Sequence, residues 1–455
     1  MNRSRTVEEA HSSHPVSDEG ATAGQCDLSP RGSCAGTVAS FNRPLTFFLP
    51  SQHGSKSIPL TCEVDVGVDA LSSADWQRLF PGFSNAAVRI QLNERTGTDR
   101  FFFRSVVVKE QRRIILCLPL FEMTYNFSSV ISGRARVFAV AAARWWPSVL
   151  SPRILGVGFV GGEKGQIGCA RDLDRATLEA AWTLALEMLD VLAQQLDAAC
   201  RTFVNFTSES GRWIPMQKLT RFAQVQSLPY CSLPIVYDSL ENYLASLSKA
   251  TRKDLRRKLR DAQDIEIRRT REPGLWLDTM YQWYLRAVER SEVVFGIQRL
   301  EYFAQVCHVV PGAEFVLYFH RGTLLAFNLV IVTPESLVDQ YFGMDDDRGR
   351  QYALYFISWL ENIRYCIAHR IPRYDAGQGA EITKGRLGTE LVPSLVLFHH
   401  RHPIIHSLLT MCLKRFACHP PDHLPPARLG LGWEKLSGHE RLRPQVVSVD
   451  LQSSS

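Results

Sequence analysis

The sequence predicts an α+β fold, and three observations carry that prediction. From residue 235 onward the elements run helix, strand, two helices, three strands, helix, strand, strand, an order that fits neither a doubly wound sheet nor a β-sandwich. The three consecutive strands are joined by the short connections Arg321-Gly322 and Thr333-Pro334-Glu335, which makes them antiparallel. Two foldable stretches of similar length, 45–234 and 235–418, follow one another between a polar leader (1–44) and a flexible Pro-rich tail (419–455).

Each element has its own reason. Phe102, Arg104, Val106 and Val108 precede a polar turn at Lys109 to Arg113, and Ile114 to Leu118 follow, a β-hairpin over 101–120. Trp182, Leu184, Met188, Val191 and Leu192 share one face of a helix predicted from Leu178 to Ala198. Leu240, Leu244, Leu247, Leu255 and Leu259 form a helical stripe after Asp238-Ser239, with Glu241 placed as in a capping box. Ile265 to Thr270 reads as a strand, then Leu275 to Arg290 and Arg299 to Val309 as helices. Glu314 to Phe319, Leu324 to Val332 and Leu337 to Gly343 are the three strands. A helix is predicted from about Gln351 to His369, with Tyr352, Phe356, Trp359, Ile363 and Ile367 inside. Strands at Arg373 to Asp375 and Leu395 to His399 close the unit.

Composition narrows the function classes. With 45% hydrophobic and 22% charged residues over 455 positions, collagen, coiled-coil and wholly disordered readings are excluded. A net charge of +6 suits a phosphate-bearing ligand without demanding one. Eleven cysteines lie scattered with no C-x-x-C pair, which points to reduced, buried thiols. The leader lacks an apolar signal region, and the longest apolar runs, Val137 to Ala143 and Leu324 to Val332, fall far short of the ~20 residues that span a bilayer. The expectation is a cytoplasmic protein with no transmembrane segment.

Among the motifs, Gly156-x-Gly158-x-x-Gly161 has the letters of a dinucleotide fingerprint, but no helix is predicted before about Asp172, so a glycine-rich sheet edge accounts for it. His399, His400, His402 and His406 lie near Cys412, Cys418 and His419. Pro403 interrupts their helical spacing and no carboxylate completes a set, so no metal is expected. Arg252, Lys253, Arg256, Arg257, Lys258 and Arg260 are either a solvated helix face or a landing site for the phosphates of a carrier or of RNA. The richest region is 339–384. After Tyr341-Phe342-Gly343 the chain turns into a helix start, where unpaired N–H groups, helped by Arg348, Gly349, Arg350 and Gln351, would cradle a pyrophosphate. Next, Tyr374 and Asp375 lead into Gly377-Gln378-Gly379, then Glu381 and Lys384. Carboxylates and an amine at a strand end could serve a transfer reaction; an acidic turn capping a helix is the alternative. Because Asp375 and Lys384 sit in a glycine-rich turn, removing either is expected to cost little stability.

The run Tyr243 to Arg260, with Ser248, Lys249, Arg252, Lys253 and Arg256, resembles the opening of the FemAB-like acyltransferases of the GNAT (N-acetyltransferase) superfamily. Tyr374-Asp375-Ala376-Gly377-Gln378-Gly379 followed by Lys384 resembles the family's second signature, and Gln340 to Asp345 before a long helix resembles the GNAT acyl-CoA segment. The likeness spans roughly Ser239 to Phe398, and the first half resembles a degenerate GNAT unit. It implies two GNAT-like domains, each a mixed, mostly antiparallel sheet flanked by helices and splayed near a helix start. It implies an acyltransferase moving an acyl group from acyl-CoA (acetyl-CoA foremost) to the amine of a small molecule or cell-envelope precursor. Use of aminoacyl-tRNA, or a non-catalytic binding role, are the alternatives. In that frame Arg348 to Gln351 hold the carrier phosphates, Asp375 or Glu381 is the base, Lys384 stabilises charge, and Tyr341 protonates the leaving group. Arg348 and Ala353 fit the family's phosphate-loop pattern, with Gln351 at its central glycine.

Overall fold

The computed structural model describes residues 45–48, 59–66, 71–81, 85–97, 101–125, 151–158, 164–291 and 296–415. The leader, the tail, the run Val137 to Ala143, Gly161, Cys418 and His419 lie outside the described residues. In chain order the elements are β1 (Leu45–Phe48), β2 (Pro59–Val66), α1 (Ser73–Leu79), α2 (Ala86–Thr96), β3 (Phe102–Glu110), β4 (Arg113–Thr124), β5 (Arg153–Val157), β6 (Gly168–Cys169), α3 (Arg175–Gln195), β7 (Cys200–Phe206) and β8 (Ala223–Pro234). The second half supplies α4 (Leu240–Ser246), α5 (Lys249–Asp261), β9 (Ile265–Thr270), α6 (Leu277–Glu289), α7 (Leu300–Val309), β10 (Ala313–His320), β11 (Thr323–Val332), β12 (Leu337–Met344), α8 (Arg348–Gln351), α9 (Leu354–Ala368), β13 (Arg373–Gly377), α10 (Glu381–Arg386), β14 (Glu390–His400) and α11 (Pro403–Arg415).

All the described strands join one sheet in the order β1-β2-β3-β4-β5-β7-β14-β8-β13-β12-β11-β10-β9, with β6 beside β4. Two neighbouring pairs are parallel, β5 with β7 and β12 with β13, and each is bridged by a crossover helix, α3 and α9. The other pairs are antiparallel, so the fold is α+β with a mixed, mostly antiparallel sheet flanked by helices. At the centre the halves trade strands. β8 closes the first half in sequence yet pairs with β13, while β14 closes the second half yet pairs with β7, and β8 and β14 pair with each other.

Alternation sets the layers. Phe315, Leu317 and Phe319 of β10 face α6 and α7, whereas Val316 and Tyr318 face α4, α5 and α9. Fully burying one such side chain contributes about 1.5–3 kcal/mol, which fixes the register.

Several boundaries differ from the sequence reading, each for a local reason. The leucine stripe from Leu240 is two helices: Leu247 is extended (φ −83°, ψ 162°), Ser239 caps α4 through Asn242 N, and Ser248 caps α5 through Thr251 N. Serine oxygens compete for helix N–H groups, and here they win over periodicity. Helix α3 starts at Arg175 because Asp174 accepts from Thr177 N at 2.9 Å, and Val191, expected inside, is 38% exposed. Gly156 lies in β5 where a Cβ would meet the Phe121 ring at 2.0 Å, so close packing explains it, and the next helix opens only at Arg175. Cys62, Cys117, Cys169, Cys200, Cys231, Cys307 and Cys366 are buried free thiols. Among the described residues no helix is long and apolar enough to cross a membrane.

Candidate active site

Where β12 and β13 part, the sheet opens. Their pairing is limited to Leu337 with Tyr374 and Val338 with Asp375. Beyond it, β12 stays with β11 and β13 stays with β8. The register of β12 slips at that point: Asp339 faces Val330 and Tyr341 faces Leu329, leaving Gln340 as a bulge.

Asp339 stands at the opening and anchors a buried network. Its carboxylate accepts from Tyr374 Oη and from Asn328 Nδ2, both at 2.6 Å, and Asn362 Nδ2 donates to Asn328 Oδ1 (3.0 Å) and Tyr374 Oη (3.3 Å). Tyr374, Asn328 and Asn362 are fully buried. Burial pushes the Asp339 carboxyl above the usual aspartate range, against the Tyr374 and Asn328 hydrogen bonds and the Lys384 charge, which pull it down.

Lys384 is 7% exposed and donates to Ala376 O (2.7 Å) and Gln378 O (3.0 Å), so it ties the glycine turn to α10. Burial lowers its pKa, opposed by the fields of Cys231, Asp339 and Glu381. Asp375, on β13, accepts from Ser232 Oγ at 2.7 Å and lies 3.4 Å from Arg373 Nε and 3.9 Å from Lys164 Nζ. Glu381 opens α10. Its Oε1, Gln340 Oε1 and the Tyr355 hydroxyl are buried without a hydrogen-bond partner. Burial raises the Tyr355 hydroxyl, helped by Asp339 and Cys231. These three atoms leave hydrogen-bonding capacity around the opening that a ligand or water can meet.

Helix α9 begins at Leu354, a few residues later than the sequence suggests. Ala353, its N-cap, adopts a left-handed φ of 52° and makes no side-chain cap, leaving the helix start open. Arg348 to Gln351 form the separate turn α8, pinned by Asp345 Oδ1, which accepts from Arg348 N at 2.8 Å. Gly349 fits there because a Cβ would lie 2.9 Å from Met344 Cβ; Arg350 is 3.8 Å from Asp346. Ala380, before α10, is left-handed as well (φ 55°). Two alanines held in that region flank the opening, which is where backbone strain tends to be stored. The equivalent crossover helix of the first half is closed by its own Asp174, which would repel a phosphate.

The structure thus gathers Asp375, Glu381 and Lys384 around one opening, with Arg348 to Gln351 on the approach to α9. It does not bring Tyr341 to them: that ring packs on the α6–α7 face against Tyr284 and Phe303 (5.0 and 5.6 Å), and its hydroxyl meets Gln298 Nε2 at 3.2 Å. Sequence reasoning missed Asp339, Tyr355 and the two asparagines. The one available signal was the polar pair Asp339-Gln340 inside an otherwise apolar strand. The basic helix α5 is mostly self-satisfied: Arg256 pairs with Glu241, Arg257 with Asp254 and Asp261, Lys258 with Asp254, while Lys253 and Arg260 are exposed. His399 Nδ1 lies 2.8 Å from Arg201 Nη2, part of the β7–β14 seam.

No curated protein matches the chain. Among solved structures it is similar to FemX (12% identity, TM-score 0.48, covering 74% of this chain and 97% of that one). It is also similar to a tandem GNAT protein from the clavulanic acid biosynthesis pathway (13%, TM-score 0.44, 75% and 99%) and to L-PGS from Bacillus licheniformis (9%, TM-score 0.45, 78% and 99%). The FemAB-like family, described as peptidoglycan biosynthesis/recognition, matches residues 166–419, more than half of the chain, and the protein belongs to that family.

Proposed function

We propose that the protein is an acyltransferase that moves an acyl group from a phosphate-bearing carrier to an amine of a cell-envelope precursor or small molecule. The observation that carries this reading is the opening between β12 and β13, where a carboxyl of raised pKa stands beside an uncapped helix start. Arg348, Gly349, Arg350, Gln351 and the first N–H groups of α9 would hold the carrier phosphates. The carrier supplies an activated acyl carbonyl. On the protein side, Asp339, with Asp375 and Glu381 as nearby carboxylates, takes the proton that the amine must lose before its nitrogen bonds the acyl carbon. Lys384 sets a positive charge near the developing oxyanion, and as the acyl–carrier bond breaks the nitrogen's second proton passes to the displaced thiol or hydroxyl, the first having gone from the carboxylate to solvent. Acyl-CoA, acetyl-CoA first, is the carrier we favour, with no metal required.

Aminoacyl-tRNA is the second reading, favoured by one contact: Lys258 lies 4.2 Å over the Phe356 ring, which puts the basic helix α5 beside the first turn of α9. The two part cleanly by thermal shift. A carrier at about 100 times its Kd adds roughly 2.7 kcal/mol of stability. A shift with acetyl-CoA that is lost in Arg348→Ala/Arg350→Ala supports the CoA reading. A shift only with charged tRNA, falling steeply with salt, supports the other. No shift with either sinks the transferase proposal in favour of a binding module.

A further inference from the structure

The first half holds a cavity that the chemistry above does not use. Its volume is 90 Å³, well below the ~300–1,000 Å³ of sites that enclose drug-sized ligands, so it suits a small polyatomic group. The end of α1 (Leu79 to Pro81) covers it, and residues 164–171 and 207–213 form its walls. Two glycines interleaved with the lining residues let this segment pack closely: a Cβ on Gly165 would lie 2.2 Å from Val204 O, and one on Gly168 would lie 2.5 Å from the Phe80 ring. Among the described residues three cations line it, Lys164, Arg171 and Arg212, against one carboxylate, Glu209. Gln166 also lines it, only 6% exposed, and its Nε2 donor has no partner. A buried amide donor left unpaired is destabilising, which an acceptor in the cavity would offset. A lining of guanidinium, ammonium and amide N–H groups calls for a ligand that only accepts.

Lys164 connects this cavity to the opening between β12 and β13. Its Nζ lies 3.9 Å from Asp375 Oδ1, beyond hydrogen-bond range, and 5.9 Å over the Tyr230 ring. Asp375 keeps Ser232 and Arg373 without it. Lys164 can therefore turn into the cavity and leave Asp375 still held.

We propose that this cavity binds a small oxyanion, a carboxylate or phosphate group, and that Lys164 shares its charge between that anion and Asp375, so that filling the cavity loosens its hold on Asp375. The anion site stands on its own; only its consequence for transfer rests on the reading above.

The test uses the full chain carrying Arg348→Ala/Arg350→Ala, which silences the carrier cradle, titrated calorimetrically with inorganic phosphate and with acetate. Saturable binding is expected, weakened about tenfold or more by Arg171→Ala and by Gln166→Leu, each lost charged or buried hydrogen bond being worth roughly 1.4 kcal/mol. Arg171 is exposed, so its removal leaves the fold intact, and circular dichroism checks Gln166→Leu. Asp375→Asn should tighten phosphate binding about threefold or more, and Lys164→Met should abolish that gain, the signature of a shared charge. Preference for phosphate identifies a phosphorylated ligand, and preference for acetate a carboxylate. Binding that ignores Arg171 and Gln166, or no binding of either probe, overturns the site. An Asp375→Asn variant that binds like its parent overturns the sharing. No acyl carrier is present, so these outcomes are separate from those that decide the transferase proposal.

Discussion

Substituting Asp339 by asparagine removes a charge that burial disfavours while keeping Tyr374 and Asn328 within hydrogen-bonding reach. A general base is worth about 10²–10⁴ in rate, so Asp339→Asn should lower kcat/KM by that order. The wild-type acidic limb, set by a carboxyl above the usual aspartate range, should disappear in the variant. The stability sign is opposite. A raised carboxyl stabilises the fold while protonated, and that contribution fades as pH rises through its folded-state value. Asp339→Asn should therefore melt above wild type at pH 8, the gap closing toward pH 4; a variant that is less stable at pH 8 while keeping full activity would remove Asp339 from the mechanism. Lys384→Met should cost both activity and about 1–3 kcal/mol of stability, read by denaturant unfolding, because two carbonyls lose their donor. The glycine-rich turn suggested otherwise, since composition marks a turn but not that a lysine stem is buried beneath it.

The open start of α9 is a property of the helix, and Ala353 is its lever. At φ 52° an alanine is strained and a glycine is not, so Ala353→Gly should raise stability by about 1 kcal/mol in thermal unfolding. A loss of stability would show that the alanine methyl contributes packing that outweighs the strain. At this level much was legible in the sequence. Strands β9 to β12 and helices α6, α7 and α9 carry strong periodicity, so their existence follows from side chains close together in the chain. What stayed hidden depends on partners far away. Asp339 reads as one polar position in a strand until a bulge at Gln340 and a parallel neighbour more than thirty residues later turn it inward. Helix α10 hides behind Gly377 and Gly379, and the break at Leu247 hides inside an unbroken leucine stripe because Ser248 caps anew.

Over the whole molecule the strand exchange dominates. Cutting between Pro234 and Ile235 leaves β8 on one piece and its partner β13 on the other, and likewise parts β14 from β7. Fragments ending and starting there should each fail to fold alone, yet a chain cleaved at that bond should stay associated on size-exclusion chromatography; two independently soluble, folded pieces would contradict the exchange. The seam also senses acid. His399 on β14 faces Arg201 and Arg221 and stacks near His406, and burial first, then these charges, lowers its pKa from 6.5 to about 4. A depressed histidine contributes stability fully above 6.5 and loses it as pH falls toward 4, so His399→Asn should flatten the melting curve's decline across that window. The reciprocal exchange has a further consequence, for descent. A half whose crossover helix is closed by Asp174 still cannot leave the chain, because the other half's sheet is incomplete without β8. Selection that maintains the opening between β12 and β13 therefore also maintains the first half, whatever that half itself binds.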